Sequence, residues 1–363
     1  MTKLALVQPS RVNAWEPEFF LRIKNELSRQ GPDSSFELVD QVEEADVVFY
    51  VDSNKSTRNL ADYEKLLQWA ADWNKFVFAL SIEDKPLGVL PGIYTSLESN
   101  NFDPELHLSW PHLEAPNRNV ESTPAGSAEQ AAWLFTFSGS CSHRMRRKLF
   151  SIFGASSSEQ NKWKIREIDR WYDHTNEEEE KYIDDILNSR FVLCPRGIAC
   201  YSHRILETLL LERIPVIIAD DWVPFSFPEQ DYYVRIPESE LQNIIPLLER
   251  EIEKFDFYLE NLRKVKSNWL EQQTRYSKVI EHFLEFHRQH QSAHHPEALL
   301  KRLQSVEFRR NNGLLSHQKF LESANAFPRR GLKILKKITS QLSKIFATDA
   351  VPGKKPNTGD NIN

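Results

Sequence analysis

The first third of the chain alternates short apolar runs with segments of helical periodicity. The apolar runs of strand length cover residues 4–7, 36–39, 45–51 and 76–80. Between them, residues 18–29 and 65–73 carry apolar side chains every three or four positions, which is typical of amphipathic helices. Unbroken apolar strands separated by helices predict a mostly parallel sheet that is covered on both faces.

The same alternation begins again after the polar stretch 117–127, which we take as the linker between two domains. Strand-like runs cover residues 132–137, 162–168, 190–194 and 214–219, and helical segments cover 144–153, 175–188, 202–211 and 239–288. Thr175 and Glu178 have the spacing of a capping box, so the acidic run that follows Thr175 is interpreted as a solvated helix start.

These patterns predict an α/β protein in three parts. Residues 1–125 are expected to form an amino-terminal Rossmann-like domain, and residues 126–290 a second Rossmann-like domain closed by long carboxy-terminal helices. Residues 291–363 are expected to be a basic helical tail, partly disordered. Two such domains would face each other across a cleft.

Composition narrows the class of protein. The chain has 363 residues, of which 40% are hydrophobic and 27% charged, as in ordinary globular proteins. The formal net charge of −6 gives no general attraction for nucleic acid, so no nucleic-acid partner is expected.

Cysteine usage and hydropathy bear on location. The three cysteines, Cys141, Cys194 and Cys200, form no C-x-x-C pair, which favours neither a disulfide framework nor a zinc site. No run of about 18 apolar residues suggests a membrane span. We therefore expect a cytoplasmic protein.

The segment 191–225 carries the candidate chemistry. A buried strand is predicted to enter a turn at Pro195 and Gly197, and the helix that follows is expected to begin at Ser202, whose hydroxyl would cap it. Helix amino termini at the carboxyl ends of parallel strands bind phosphate, and Arg196 and Arg204 would add fixed positive charge there.

Two acidic features in this segment have competing interpretations. Glu207 lies on the helix face of Arg204, where it could accept hydrogen bonds from two ribose hydroxyls or form an ordinary intrahelical ion pair with Arg204. Asp220 and Asp221 could contact sugar hydroxyls or cap their loop. No D-x-D motif at a strand end points to a divalent metal, so no metal cofactor is expected.

The segment as a whole resembles the exostosin family, glycosyltransferase family 47, in its bacterial form. The matching positions are Phe191, Leu193, Pro195, Gly197, Ser202, Arg204, Glu207, Pro215, Val216, Ile217, Asp220, Asp221, Trp222, Pro224 and Phe225. Upstream, Phe137 and Gly139 resemble the loop after the first strand of the donor domain, and Arg146 lies in the helix that follows. The resemblance fades over residues 1–125, and Leu211-Glu212 replaces the usual Ala-Gly.

This resemblance implies a GT-B fold and inverting transfer of a sugar, from a nucleoside diphosphate donor with UDP as the first choice, to a glycan or lipid-linked acceptor. Its donor-binding residues would be Phe137, Gly139, Arg146, Pro195, Gly197, Ser202, Arg204 and Glu207, and its catalytic residues Arg204, Arg196, Asp220 and Asp221. The general base would come from Glu83 or Asp84, or from the Asp220-Asp221 loop. The alternative is a non-catalytic relative that binds sugar nucleotides or acts as a membrane scaffold.

Two features lie outside this segment. Residues 328–346 contain six basic residues and no acidic one, with an apolar face at helical spacing. They could lie on an anionic membrane surface or dock on the protein itself. His287, His290, His294 and His295 have irregular spacing in polar surroundings, so they are expected at the surface rather than on a metal.

Overall fold

The computed structural model describes residues 1–8, 16–29, 34–52, 60–112, 117–154, 162–169, 174–270 and 275–311. Residues 1–303 form one compact unit, which holds both sheets of the protein, and residues 304–363 form a second unit. In the described ranges, no helix is long and apolar enough to span a membrane. The basic segment 328–346 lies outside them.

The first sheet has six parallel strands in the order β2-β1-β3-β4-β5-β6. Its strands are β1 (Thr2–Val7), β2 (Phe36–Leu38), β3 (Val47–Asp52), β4 (Phe76–Ser81), β5 (Gly92–Tyr94) and β6 (His107–Ser109), and its helices are α1 (Glu16–Leu27) and α2 (Leu60–Asp72). The sequence predicted the first four strands. It missed β5 and β6, because three-residue strands are too short to show periodicity.

Residues 117–127 were predicted to be a linker, and a short helix, α3 (Asn119–Ser122), lies within them. A second parallel sheet follows, in the order β11-β10-β9-β7-β8. Its elements are β7 (Trp133–Gly139), α4 (Arg144–Phe153), β8 (Trp163–Glu167), α5 (Asn176–Leu187), β9 (Ser189–Pro195), α6 (Arg204–Leu210), β10 (Ile214–Ile218) and β11 (Val234–Arg235). Thr175 and Glu178 form the predicted capping box at the start of α5, which confirms that prediction.

Five α-helices follow the second sheet in the described chain: α7 (Ile244–Glu251), α8 (Phe255–Trp269), α9 (Arg275–Gln289), α10 (Pro296–Gln304) and α11 (Val306–Asn311). Although α9 follows the second sheet in sequence, it packs on the first. The Phe283 ring lies 5.7 Å from the ring of Phe49 and 4.9 Å from that of Phe78, between centroids. The predicted boundaries at 125/126 and 290/291 remain predictions.

The two sheets meet at the carboxyl ends of their strands. The amide of Ser226, in the loop after β10, donates to the carbonyl of Ser109 at the end of β6 (2.8 Å), and the amide of Ser99 donates to the carbonyl of Asp221 (2.9 Å). One hydrophobic core cluster runs through residues of both sheets. The predicted GT-B-like arrangement, two parallel α/β sheets with facing edges, is therefore confirmed.

Candidate donor site

The second sheet reverses its strand order between β7 and β9. The connection from β7 passes through α4 to β8 on one side, and the connection from β9 passes through α6 to β10 on the other. Such a switch point leaves a crevice outside the carboxyl ends of the two strands, where open α/β sheets bind ligands. The crevice here lies between Gly139 and Pro195.

Arg204 occupies this crevice. It is the first residue of α6, and its side chain is buried (8% exposed). The guanidinium donates to the carbonyl of Ser138 and to the hydroxyl of Ser202 (3.3 Å) and lies 4.7 Å from the ring centroid of Phe137. A Cβ on Gly139 would lie 2.9 Å from Arg204 Nη2, so glycine gives this guanidinium its room.

Arg146, on the first turn of α4, approaches the same point. Its Nη1 donates to the hydroxyl of Ser142 (3.3 Å), and a Cβ on Gly197 would lie 3.2 Å from its Nη2. Burial, reinforced by the charge of Arg204, lowers the pKa of Arg146 to about 10. Among the described residues, no carboxylate oxygen lies within 4.0 Å of either guanidinium. A buried cation (Arg204) beside a partly buried one (Arg146), neither with a counter-ion in the described part of the chain, favours the binding of an anion.

Ser202 does not cap α6, which corrects the prediction. The helix begins at Arg204, two residues later than expected, and its cap residue, His203, makes no side-chain capping bond. The Ser202 hydroxyl accepts from Arg204 instead, because a charged donor outcompetes a main-chain amide. Ser202 therefore orients the guanidinium.

Arg196 differs from the other two arginines because carboxylates neutralise it. Its Nη1 donates to Asp221 Oδ2 (2.8 Å) and its Nη2 to Glu98 Oε1 (3.2 Å). Burial alone would lower the pKa of Arg196, but the bonds to Asp221 and Glu98 raise it overall. Since Glu98 follows β5 and Asp221 follows β10, Arg196 joins the edges of the two sheets. The sequence carried no signal for Glu98.

Asp220 caps its loop. Its Oδ1 accepts from the amide of Glu238 (3.0 Å), and its own amide donates to Glu238 Oε1 (3.4 Å). Of the two interpretations offered for this residue, the structure shows the loop cap.

Glu207 is buried and engaged on both carboxylate oxygens. Oε2 accepts from the hydroxyl of Tyr182, and Oε1 accepts from the amide of Asn117 (3.4 Å). Burial raises the pKa of Glu207 despite these bonds. The expected alternative, an ion pair with Arg204, is absent among the described residues, and the contact with ribose remains a prediction. Tyr182 lies on α5, just upstream of β9. Its bond to Glu207 was not predictable from the spacing of the two residues in the sequence.

A cleft of about 380 Å³ opens beside the switch point, between the ends of β7 and β8 and the start of α5. Its walls include Ser138, Arg166, Glu167, Asp169, Glu178 and Tyr182. A second cleft of about 370 Å³ lies at the far end of α6, where Glu212 neutralises Arg263 and Lys266. Only the first of these two clefts adjoins the unpaired guanidiniums.

The histidine prediction was wrong for two residues. His287 and His294 are buried (6% and 0% exposed), with stacked rings and their Nδ1 atoms 2.9 Å apart. Their partners come from the fold of α9 onto the first sheet, which spacing alone does not reveal. Within the described residues, no group of three or more His, Cys, Asp and Glu side chains is arranged to hold a metal ion.

The switch-point site lies in a region that matches a known protein family. Residues 87–251 match the family model of the Exostosin GT47 domain, a glycosyltransferase domain. Residues 87–251 are therefore similar to an exostosin GT47 domain, and this match includes the whole motif 191–225 that predicted the resemblance. The match reaches further upstream than the resemblance suggested, because it includes β5 and β6 of the first sheet.

Individual relatives match over shorter stretches. The chain is 41% identical over 68 residues to the Exostosin-1 homolog of Caenorhabditis elegans, covering 18% of each chain. It is 36% identical over 80 residues to the "Probable beta-1,4-xylosyltransferase IRX10L" of Arabidopsis thaliana, covering 21% of this chain and 19% of that one. The chain thus spans about a fifth of the length of these relatives. A solved α1,3-fucosyltransferase with GDP is similar over 78% of this chain and 89% of its own, with 15% identity and a TM-score of 0.38.

Proposed function

We propose that this protein is an inverting glycosyltransferase that moves a sugar from a nucleoside diphosphate donor to a glycan or lipid-linked acceptor. The observation that carries the proposal is a pair of guanidiniums at the switch point within the matched region, the buried Arg204 and the partly buried Arg146, neither of which has a carboxylate partner among the described residues. A diphosphate is the anion that this pair fits, because each planar guanidinium can donate two parallel hydrogen bonds to phosphate oxygens.

In this mechanism the acceptor hydroxyl attacks the anomeric carbon while the diphosphate leaves with growing negative charge. Arg146 and Arg204 stabilise that charge, since they are already held in place by Ser142, Ser138 and Ser202. Fixed donors of this kind contribute on the order of 3 kcal/mol each, about a hundredfold in rate. With two guanidiniums in this role, we propose that transfer needs no metal.

The acceptor approaches from the first sheet. Buried polar side chains lie at or just beyond its strand ends, among them Ser81, Glu83, Thr95 and Ser109, and the Ser109 hydroxyl donates to the carbonyl of Val223 in the loop after β10 (3.1 Å). We propose Glu83 as the general base, because it is a buried carboxylate just beyond the carboxyl end of β4. Arg196, with Asp221 and Glu98, would hold the two edges at the distance that attack requires.

The choice of UDP over other nucleotides, the cytoplasmic location and membrane contact through residues 328–346 are also part of this proposal. They are supported by the family resemblance and by the composition of the sequence.

Calorimetric titration of the purified chain with UDP, GDP and ADP, each with and without Mg²⁺, tests the donor site. We expect one nucleotide to bind without Mg²⁺, and Arg146→Ala to weaken that binding about tenfold or more. Arg147→Ala is the matched control, because Arg147 is the next residue of α4 and is exposed. This variant should bind the nucleotide as tightly as the wild type does.

Unchanged circular dichroism of both variants would show that they are folded. Failure of the folded wild type to bind any of the three nucleotides would overturn the transferase proposal and favour the non-catalytic scaffold.

A further inference from the structure

Glu167 ends β8 directly beside the switch-point glycine. In the parallel ladder between β7 and β8, Gly139 is the register partner of Glu167. Dinucleotide-binding folds place an acidic side chain at this same position, at the end of the second strand, where it accepts hydrogen bonds from ribose hydroxyls. Nothing in the sequence marks Glu167 as a site residue, because 27 residues separate it from Gly139 and it belongs to no motif.

Glu167 also borders the cleft of about 380 Å³. Ser138 and Tyr182 line this cleft as well, and both contact Arg204: Ser138 through its carbonyl, and Tyr182 through its ring centroid, 5.9 Å from Arg204 Cζ. The cleft and the guanidinium pair therefore share a wall. A nucleotide with its diphosphate at Arg204 can place its nucleoside in this cleft.

The charged side chains that line the cleft favour the binding of two neighbouring sugar hydroxyls. Arg166, a cation on its wall, is paired with Asp185, 2.9 Å away. Glu167 is exposed and accepts one hydrogen bond, from the thiol of Cys141 to its Oε1 (2.8 Å). A thiol is a weak donor that two sugar hydroxyls can replace.

Glu207, the residue that the family resemblance suggests for ribose, is placed differently. It is 5% exposed, and its two oxygens already accept from Tyr182 and from the main chain at Asn117. A ribose contact at Glu207 would have to reach a buried carboxylate and share oxygens that already accept bonds, whereas a contact at the exposed Glu167 replaces only the Cys141 thiol. Glu207 instead positions Tyr182 and the chain after β6.

We propose that Glu167 accepts the hydrogen bonds of the donor's ribose 2′ and 3′ hydroxyls, with the nucleoside bound in the cleft between β8 and α5. This inference rests on the proposed function, because it requires a nucleotide at the switch point.

The test compares UDP with 2′-deoxy-UDP, and GDP with 2′-deoxy-GDP, by calorimetry on the wild-type chain and three variants. The variants are Glu167→Gln, Glu207→Gln and the control Glu180→Gln, which removes the same charge from an exposed position on α5. We expect the missing hydroxyl to weaken binding about tenfold in the wild type, in the control and in Glu207→Gln. In Glu167→Gln, this penalty for the 2′-deoxy nucleotide should largely disappear.

Two results would overturn the inference while leaving the donor site intact. The first is a wild type that binds the ribo and 2′-deoxy nucleotides equally well. The second is a 2′-deoxy penalty that persists in Glu167→Gln. No binding of UDP or GDP at all would instead contradict the proposed function itself, and the inference with it. Because Glu167 is exposed, its substitution leaves the core unchanged.

Discussion

At the scale of single residues, the candidate site depends on which charges have partners. Arg196 is held between two carboxylates, whereas the hydrogen-bond partners of Arg146 and Arg204 among the described residues are hydroxyl and carbonyl groups. Three arginines that look equivalent in the sequence therefore have two different roles. The two arginines without a carboxylate partner in the described residues form the proposed anion site, and the paired one joins the sheet edges.

The reactivity of the Cys141 thiol tests its hydrogen bond to Glu167. The hydrogen bond to Glu167, with burial second, raises the pKa of the Cys141 thiol. Glu167→Gln removes the negative charge, so the thiolate fraction at neutral pH should rise and alkylation by iodoacetamide should become several-fold faster. Mass spectrometry of the Cys141 peptide measures the rate.

Cys194 and Cys200 are buried and act as internal controls that should stay unmodified in the folded protein. An unchanged rate at Cys141 in the variant would show that the thiol does not bond to Glu167 in solution.

At the scale of elements, α9 is anchored to the first sheet by a buried histidine pair. His294 Nε2 bonds to the carbonyl of Glu105 (2.9 Å), so this nitrogen carries the proton. Nδ1 of neutral His294 then accepts from Nδ1 of His287. A proton added to His294 would place two N–H groups against each other and break the pair.

This anchor predicts acid sensitivity. Burial lowers the pKa of both His287 and His294 from 6.5 to about 4. Between those values the unfolded chain binds protons that the folded chain does not, so the free energy of unfolding should fall as pH falls from 6.5 toward 4. Urea unfolding at several pH values measures this slope, which should be shallower in His294→Gln.

His295→Gln is the control, because His295 is exposed and its substitution should keep the wild-type slope. Identical slopes in wild type and His294→Gln would mean that the pair does not titrate as the structure implies.

At the scale of the whole molecule, the two sheets belong to one compact unit. The chain crosses between them before β7 and again before α9, and aromatic rings pack where they meet. Trp110, which follows β6, lies 4.7 Å from Phe227 and 5.5 Å from Trp269, between ring centroids. A core that is continuous across both sheets should unfold as one cooperative unit.

Gly92→Ala tests this cooperativity. Gly92 lies in β5, where an added Cβ would lie 2.2 Å from the carbonyl oxygen of Ala79 in β4, a main-chain clash. We expect a loss of about 1–3 kcal/mol of stability. Hydrogen exchange should then show that the amides of β3 and β9 lose protection at one common urea concentration, which is lower than in the wild type.

Gly139→Ala is the comparison variant, because its added Cβ would meet side-chain atoms of Arg204 and Phe137 at 2.9 Å or more, and no main-chain atom at 2.2 Å as at Gly92. A lowered midpoint for β3 alone, with β9 unchanged, would show that the sheets unfold independently.

The sequence by itself determined the local features of this protein. Apolar runs predicted eight of the eleven strands to within a few residues, and the 191–225 motif predicted the resemblance to the family, because both depend on residues close together in the chain. The capping box at Thr175 and Glu178 was predictable for the same reason.

Tertiary structure alone decided the partners of the site residues. Glu98 reaches Arg196 from 98 positions away, the amide of Asn117 reaches Glu207 from 90, and His294 reaches the carbonyl of Glu105 from 189. Periodicity and spacing describe neighbours along the chain, whereas these contacts exist only because parallel strands bring their carboxyl ends to one edge. The packing of the sheets therefore decides that Arg196 has carboxylate partners and that Glu167, unlike Glu207, is exposed.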